Sequence, residues 1–167
     1  MTEKTLVLSS EIETAHLAQQ LAEQIEQLFR KDSLASLRIS LVGDLGAGKT
    51  TFTKYLLQSL GHNGKVKSPT YTLCEPYLLN INGKTQLAIH HFDLYRMNYP
   101  EEWIDAGFRD TLSNPGICLI EWAEKAGSTL PAFDISIELS MNDDESRTAH
   151  LMSFSFNGEI ILQDALQ

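Results

Sequence analysis

The segment LVGDLGAGKTTF, residues 41–52, gathers the residue types that could wrap a polyphosphate. Gly43 is followed, after four residues, by Gly48-Lys49-Thr50, which matches G-x-x-x-x-G-K-[ST] at every fixed position. Glycines let the backbone turn with its N–H groups inward, and no Cβ stands between those donors and an anion. A helix starting beside the lysine would aim its positive dipole end at the same point. Lys49 would then neutralise β- and γ-phosphate oxygens, while the Thr50 hydroxyl would hold Mg2+. The binding stretch is therefore Gly43, Asp44, Leu45, Gly46, Ala47, Gly48, Lys49, Thr50 and Thr51. A solvated turn ahead of a helix would explain the glycines but none of the fixed positions.

Phosphoryl transfer on such a loop also needs a carboxylate at the end of a buried strand, to place Mg2+ or a water. Asp93 ends LAIHHF and Glu121 ends ICLI, and the residues alone leave their roles open. His90 and His91 interrupt the first of these runs. Adjacent strand residues face opposite sides, so the pair is poorly placed to grip one ion, and structural or polar-contact roles are expected. Trp122 fits a core, an interface or the site equally. The guanine signature N-K-x-D and a D-x-x-G switch are both absent, which disfavours a small GTPase. Nothing in the spacing of Arg96 and Arg109 marks a kinase lid. Motifs alone lead to an ATP-binding phosphate-loop protein, either an ATPase or a small kinase.

The elements that must carry these residues are legible around them. KTLVLSS reads as a first strand, and Ser10 with Glu13 three residues later reads as a capping box. Ile12, Leu17, Leu21, Ile25 and Leu28 then mark an amphipathic helix to about Arg30. LRISLV is a short apolar strand leading into the loop, and TTFTKYLLQSLG is a helix closed by Gly61. HNGKVKSPTYT is a loop by composition. LCEPYLL and QLAIHHFDLY read as a hairpin turning at Asn82-Gly83. PEEWIDAGFRDTL is expected to be helical, with Asn114-Pro115-Gly116 ending it, and ICLIEW is a buried strand. ISIELS and TAHLMSFSF form an antiparallel pair around MNDDES.

No repeat, linker or low-complexity segment divides the 167 residues. One α/β domain over 1–167 is expected, a P-loop NTPase-like, mostly parallel sheet flanked by helices, with antiparallel strands at the C-terminal edge. The net charge of −9 argues against broad contact with nucleic acid. No apolar run approaches a membrane span, and the N-terminus lacks the character of a secretory signal, so a cytoplasmic location is expected. Cys74 and Cys118 lack metal-ligand spacing and read as buried thiols.

Four stretches together resemble the TsaE family of bacterial ATPases, which serve the formation of threonylcarbamoyladenosine in tRNA. They are GDLGAGKTT (43–51), SPTYTL (68–73), HFDLYR (91–96) and IEWAE (120–124), in the family's order and approximate spacing. EWIDAGFRD resembles the family's intervening helix, and the likeness runs from about residue 10 to 125. The resemblance implies ATP on the phosphate loop, and Mg2+ held by Thr50 and Glu121. It implies that Asp93 acts on the attacking water or on a metal-bound water, and it places Thr14 near the adenine. It also makes SPTYT a switch-like loop, with Ser68 and Thr70 able to reach the γ-phosphate or the metal, the alternative being that Pro69 simply shapes a turn. The implied partners are TsaB and TsaD, whose transferase complex the ATPase supports, with tRNA contact mainly indirect. With no arginine finger visible, hydrolysis is expected to be slow alone and faster with partners. The alternative is a P-loop kinase of a small metabolite or protein.

Overall fold

A computed structural model of the chain describes residues 1–81 and 83–167. Seven strands form one sheet: β1 Glu3–Leu8, β2 Ser36–Val42, β3 Cys74–Ile81, β4 Thr85–Asp93, β5 Gly116–Glu121, β6 Ile135–Met141 and β7 Arg147–Ser153. Their spatial order is β1-β7-β6-β2-β5-β4-β3. The middle four, β6-β2-β5-β4, run parallel. Antiparallel strands flank both sides, β3 beside β4, and β7 followed by β1 beside β6. The α/β fold is as expected, except that antiparallel pairing occupies both edges. The expected pair β6–β7 is not the edge itself, because β1 lies outside it. At the opposite edge Pro76 sits in β3, a position that tolerates the loss of an N–H donor.

Every residue of β5 is buried, as a central strand covered on both faces requires. Alternation then sorts its side chains. Ile117 and Leu119 join the core under helices α1 Glu11–Lys31, α2 Lys49–Ser59 and α5 Phe156–Ala165. Cys118 and Ile120 face a second core with Phe92, Trp103 and Leu112, covered by short helices α3 Glu102–Asp105 and α4 Arg109–Ser113. Each fully buried Leu or Phe stabilises this arrangement by about 1.5–3 kcal/mol. Both cysteines lie in the second core as free thiols, and burial pushes each up to about 12.

Several local expectations change on contact with the tertiary structure. Ser10 sits at the start of α1, but its side chain makes no capping bond; Glu13 instead accepts from the Ser9 backbone N–H. Ile12 is exposed, and the buried stripe of α1 runs through Thr14, Leu17, Ala18, Leu21, Ala22, Ile25 and Phe29. The helix expected over PEEWIDAGFRDTL divides into α3 and α4 at Gly107, whose φ of 91° no helix accommodates. Gly61 does close α2: its N–H reaches the Gln58 carbonyl at 3.0 Å and the His62 N–H reaches Leu57 at 2.9 Å, a Schellman ending. Strands β3 and β4 form the expected hairpin, although Asn82 of its turn lies outside the described residues. TAHLMSFSF leaves the sheet at Ser153, and helix α5, unforeseen, begins at the Ser155 cap.

Candidate nucleotide-binding site

Parallel strands leave their C-terminal ends on one side of the sheet, where ligands of such folds bind. There β2 runs out into the glycine loop, and β4 and β5 end in register, Asp93 beside Glu121. The loop's geometry needs its glycines. Gly46 has φ 82° and Gly48 φ 107°, both in the left-handed region. At Gly43 a Cβ would lie 2.5 Å from the Leu139 carbonyl oxygen, so β6 packs against the loop too tightly for any side chain. Gly48 caps α2, whose first residue is Lys49, and the helix N-terminus points into the loop.

Lys49 and Glu121 are both buried, at 8% and 6% exposure, and they form an ion pair of 3.6 Å through Glu121 Oε1. The other carboxylate oxygen, Oε2, takes a 2.6 Å bond from His91 Nε2. A carboxylate only accepts, so Nε2 carries the proton. Trp122 follows Glu121 in a left-handed conformation, φ 57°, which turns the chain and leaves Lys49 Nζ 4.6 Å from the centre of its ring. Asp93 is half-buried; its Oδ1 accepts from the Tyr95 N–H at 3.0 Å. Its Oδ2 lies 3.5 Å from Thr70 Oγ1, which bonds Ser68 Oγ at 2.7 Å, so the SPTYT loop is tied to this carboxylate. These groups line a cleft of about 380 Å³ that also includes Thr50, Thr51 and Pro69. A smaller recess of about 170 Å³, bordered by Thr14, Thr51 and Gly48, adjoins the other side of the loop.

The chain belongs to the TsaE family. The family model, threonylcarbamoyl adenosine biosynthesis protein TsaE, matches residues 8–149. The TsaE of Haemophilus influenzae is 46% identical over 137 residues, covering 82% of this chain and 83% of its own. That of Rickettsia felis is 32% identical over 157 residues, covering 93% and 84%. A crystal structure of Bacillus subtilis YdiB superposes with a TM-score of 0.71 at 25% identity, across 98% of this chain and 94% of that one. Family and fold thus agree on a phosphate-loop scaffold.

Of the residues singled out in the sequence, Asp44, Leu45, Gly46, Gly48, Lys49, Thr50, Thr51, Asp93 and Glu121 all border the main cleft. Gly43 and Ala47 shape its loop from behind, and Thr14 is buried at the adjoining recess. Arg96 stacks on the exposed Tyr71 ring at 4.3 Å, and neither it nor Arg109 lines the cleft. The sequence did not single out Arg147. From β7 its guanidinium donates to the carbonyls of Ala47, at 3.2 Å, and Gly46, at 3.3 Å, across a separation of a hundred residues. Holding these two carbonyls helps fix the path of the loop backbone. Arg147→Ala is therefore expected to speed amide exchange in the loop about tenfold, equivalent to about 1.4 kcal/mol for charged hydrogen bonds at a partly exposed site. Unchanged exchange at Gly48 and Lys49 would show that Arg147 does not brace the loop.

The residues fit an ATP–Mg2+ pair. The glycine loop at the start of α2 and the buried Lys49 suit a polyphosphate, and the Thr50 hydroxyl and Glu121 carboxylate offer the oxygen donors that a hard cation takes.

Proposed function

We propose that this protein is a Mg2+-dependent ATPase that supports threonylcarbamoyladenosine formation in tRNA, working with TsaB and TsaD. The observation that carries the reading is the pairing of Lys49 with Glu121 at the glycine loop, with Asp93 beside Glu121 in register. Thr50 and Glu121 would hold Mg2+, which supplies positive charge at the β- and γ-phosphate oxygens when bound. Lys49 turns from Glu121 to the γ-phosphate and stabilises charge there in the transition state. Asp93, already oriented by the Tyr95 N–H, aligns the attacking water and takes its proton. The hydroxyls of Ser68 and Thr70 couple this carboxylate to the SPTYT loop, so the loop's position reports what occupies the cleft. Thr14 borders the recess best placed for the base.

Slow hydrolysis in isolation is part of the proposal. Arg147 is the arginine among the described residues lining the cleft, and its guanidinium is engaged by loop carbonyls. A partner contributing a cation would complete the charge stabilisation. The acidic surface, with a net charge of −9, suits a division of labour in which partner subunits hold the tRNA.

The test is a multiple-turnover reconstitution with TsaB, TsaD, tRNA and a threonylcarbamoyl donor, with this protein present or omitted. Modified nucleoside rising past one turnover only when it is present is the expected result. An unchanged yield from a protein that still binds ATP would remove the pathway assignment and direct the search to a kinase acceptor.

A further inference from the structure

The Glu121 carboxylate is asymmetric. Oε1 is loosely paired, 3.6 Å from Lys49, whereas Oε2 is bound tightly, 2.6 Å from His91. All three side chains are buried, and β4 and β5 fix their spacing: His91 pairs in register with Leu119, two residues before Glu121 on the same face. Among the described residues His91 Nδ1 is buried and has no hydrogen-bond partner, and the ring's polar contact is made to Glu121. A ring serving only as filler would face an apolar wall; this one spends its single bond on the carboxylate.

We propose that His91 is a positioning residue, which holds Glu121 by Oε2 and leaves Oε1 as the oxygen that exchanges Lys49 for Mg2+. The inference deepens the nucleotide reading above and rests on it. Without the His91 bond the carboxylate is free to rotate, and the metal loses a preoriented ligand. Hydrogen-bond partners of metal-binding carboxylates and histidines commonly change metal affinity 10- to 100-fold when removed.

The experiment measures binding of a non-hydrolysable ATP analogue by calorimetry, with Mg2+ and with EDTA, in the wild type and three variants. In the wild type Mg2+ is expected to tighten binding. In His91→Leu, which keeps the bulk and loses the donor, that gain is expected to fall at least about tenfold, with affinity in EDTA moving less than about twofold. His91→Gln places an amide N–H near the position of Nε2 and is expected to retain the gain within about threefold, whereas His91→Asn places its donor near Nδ1 and is expected to lose it. The Gln and Asn pair decides the matter should the Leu variant fail to fold. Equal Mg2+ gains in all four proteins would overturn the role of His91 while leaving the nucleotide site standing. Parallel losses with Mg2+ and with EDTA, unrescued by Gln, would assign His91 to packing and overturn the proposal. A wild type that binds the analogue without any Mg2+ gain would remove the metal reading and this inference with it.

Discussion

Lys49→Ala is expected to weaken ATP binding by at least about 100-fold, because a preorganised cation at the γ-phosphate is replaced by nothing. The same change should also destabilise the protein before any nucleotide is added. Lys49 is the buried countercharge of Glu121, and its removal leaves a buried carboxylate held by His91 alone. Stripping one partner from a buried pair costs about 3 kcal/mol or more. The two losses separate in the double variant Lys49→Ala/Glu121→Gln. Urea denaturation should show most of the stability restored, since the uncompensated charge is gone, while calorimetry should show ATP binding as weak as in the single variant. A double variant as unstable as the single one would mean that the Lys49 stem, rather than its charge, supports the core.

Asp93→Asn separates chemistry from binding. The substitution keeps an oxygen for the Tyr95 N–H and preserves shape, but it cannot take a proton. Hydrolysis is expected to fall about 10²- to 10⁴-fold, the range that a positioned general base supplies. Nucleotide affinity should stay within about threefold, because Asp93 does not touch the glycine loop. In the reconstituted reaction this variant should stall after one turnover. Full multiple-turnover yield from Asp93→Asn would instead make ATP occupancy, without hydrolysis, the functional event.

Local patterns carried much of this site. The glycine loop, its strand and its helix are contiguous, so residues 41–61 could be read directly, down to the glycine that ends α2. Asp93 and Glu121 were recognisable as strand ends because apolar runs precede them, but only the β4–β5 register sets them side by side. What stayed hidden depends on distant chain. Arg147 lies in a polar segment that resembles any surface strand until β7 folds back past the loop. Helix α5 had no reading in the sequence, and Gly158 in its first turn is a poor helix former. In the structure a Cβ there would collide with the Asp134 carbonyl, so the glycine permits close packing of the helix on the sheet. The exposed Ile12 misled the helix pattern for the opposite reason, an apolar residue with no neighbour to cover it.

The position of β7 also bears on how the molecule comes into being. Among the described residues strand β1 pairs with β7 alone, and the glycine loop receives its Arg147 brace from that same strand. During synthesis the loop leaves the ribosome about a hundred residues ahead of its brace, and β1 waits still longer as an unpaired edge. Such distant pairings form late, after the chain-closure entropy of everything between them has been met. A nascent chain halted before residue 147 would carry the complete phosphate-loop sequence and yet hold nucleotide poorly. On the proposed reading, competence for ATP would await the synthesis of β7 and arrive together with closure of the sheet.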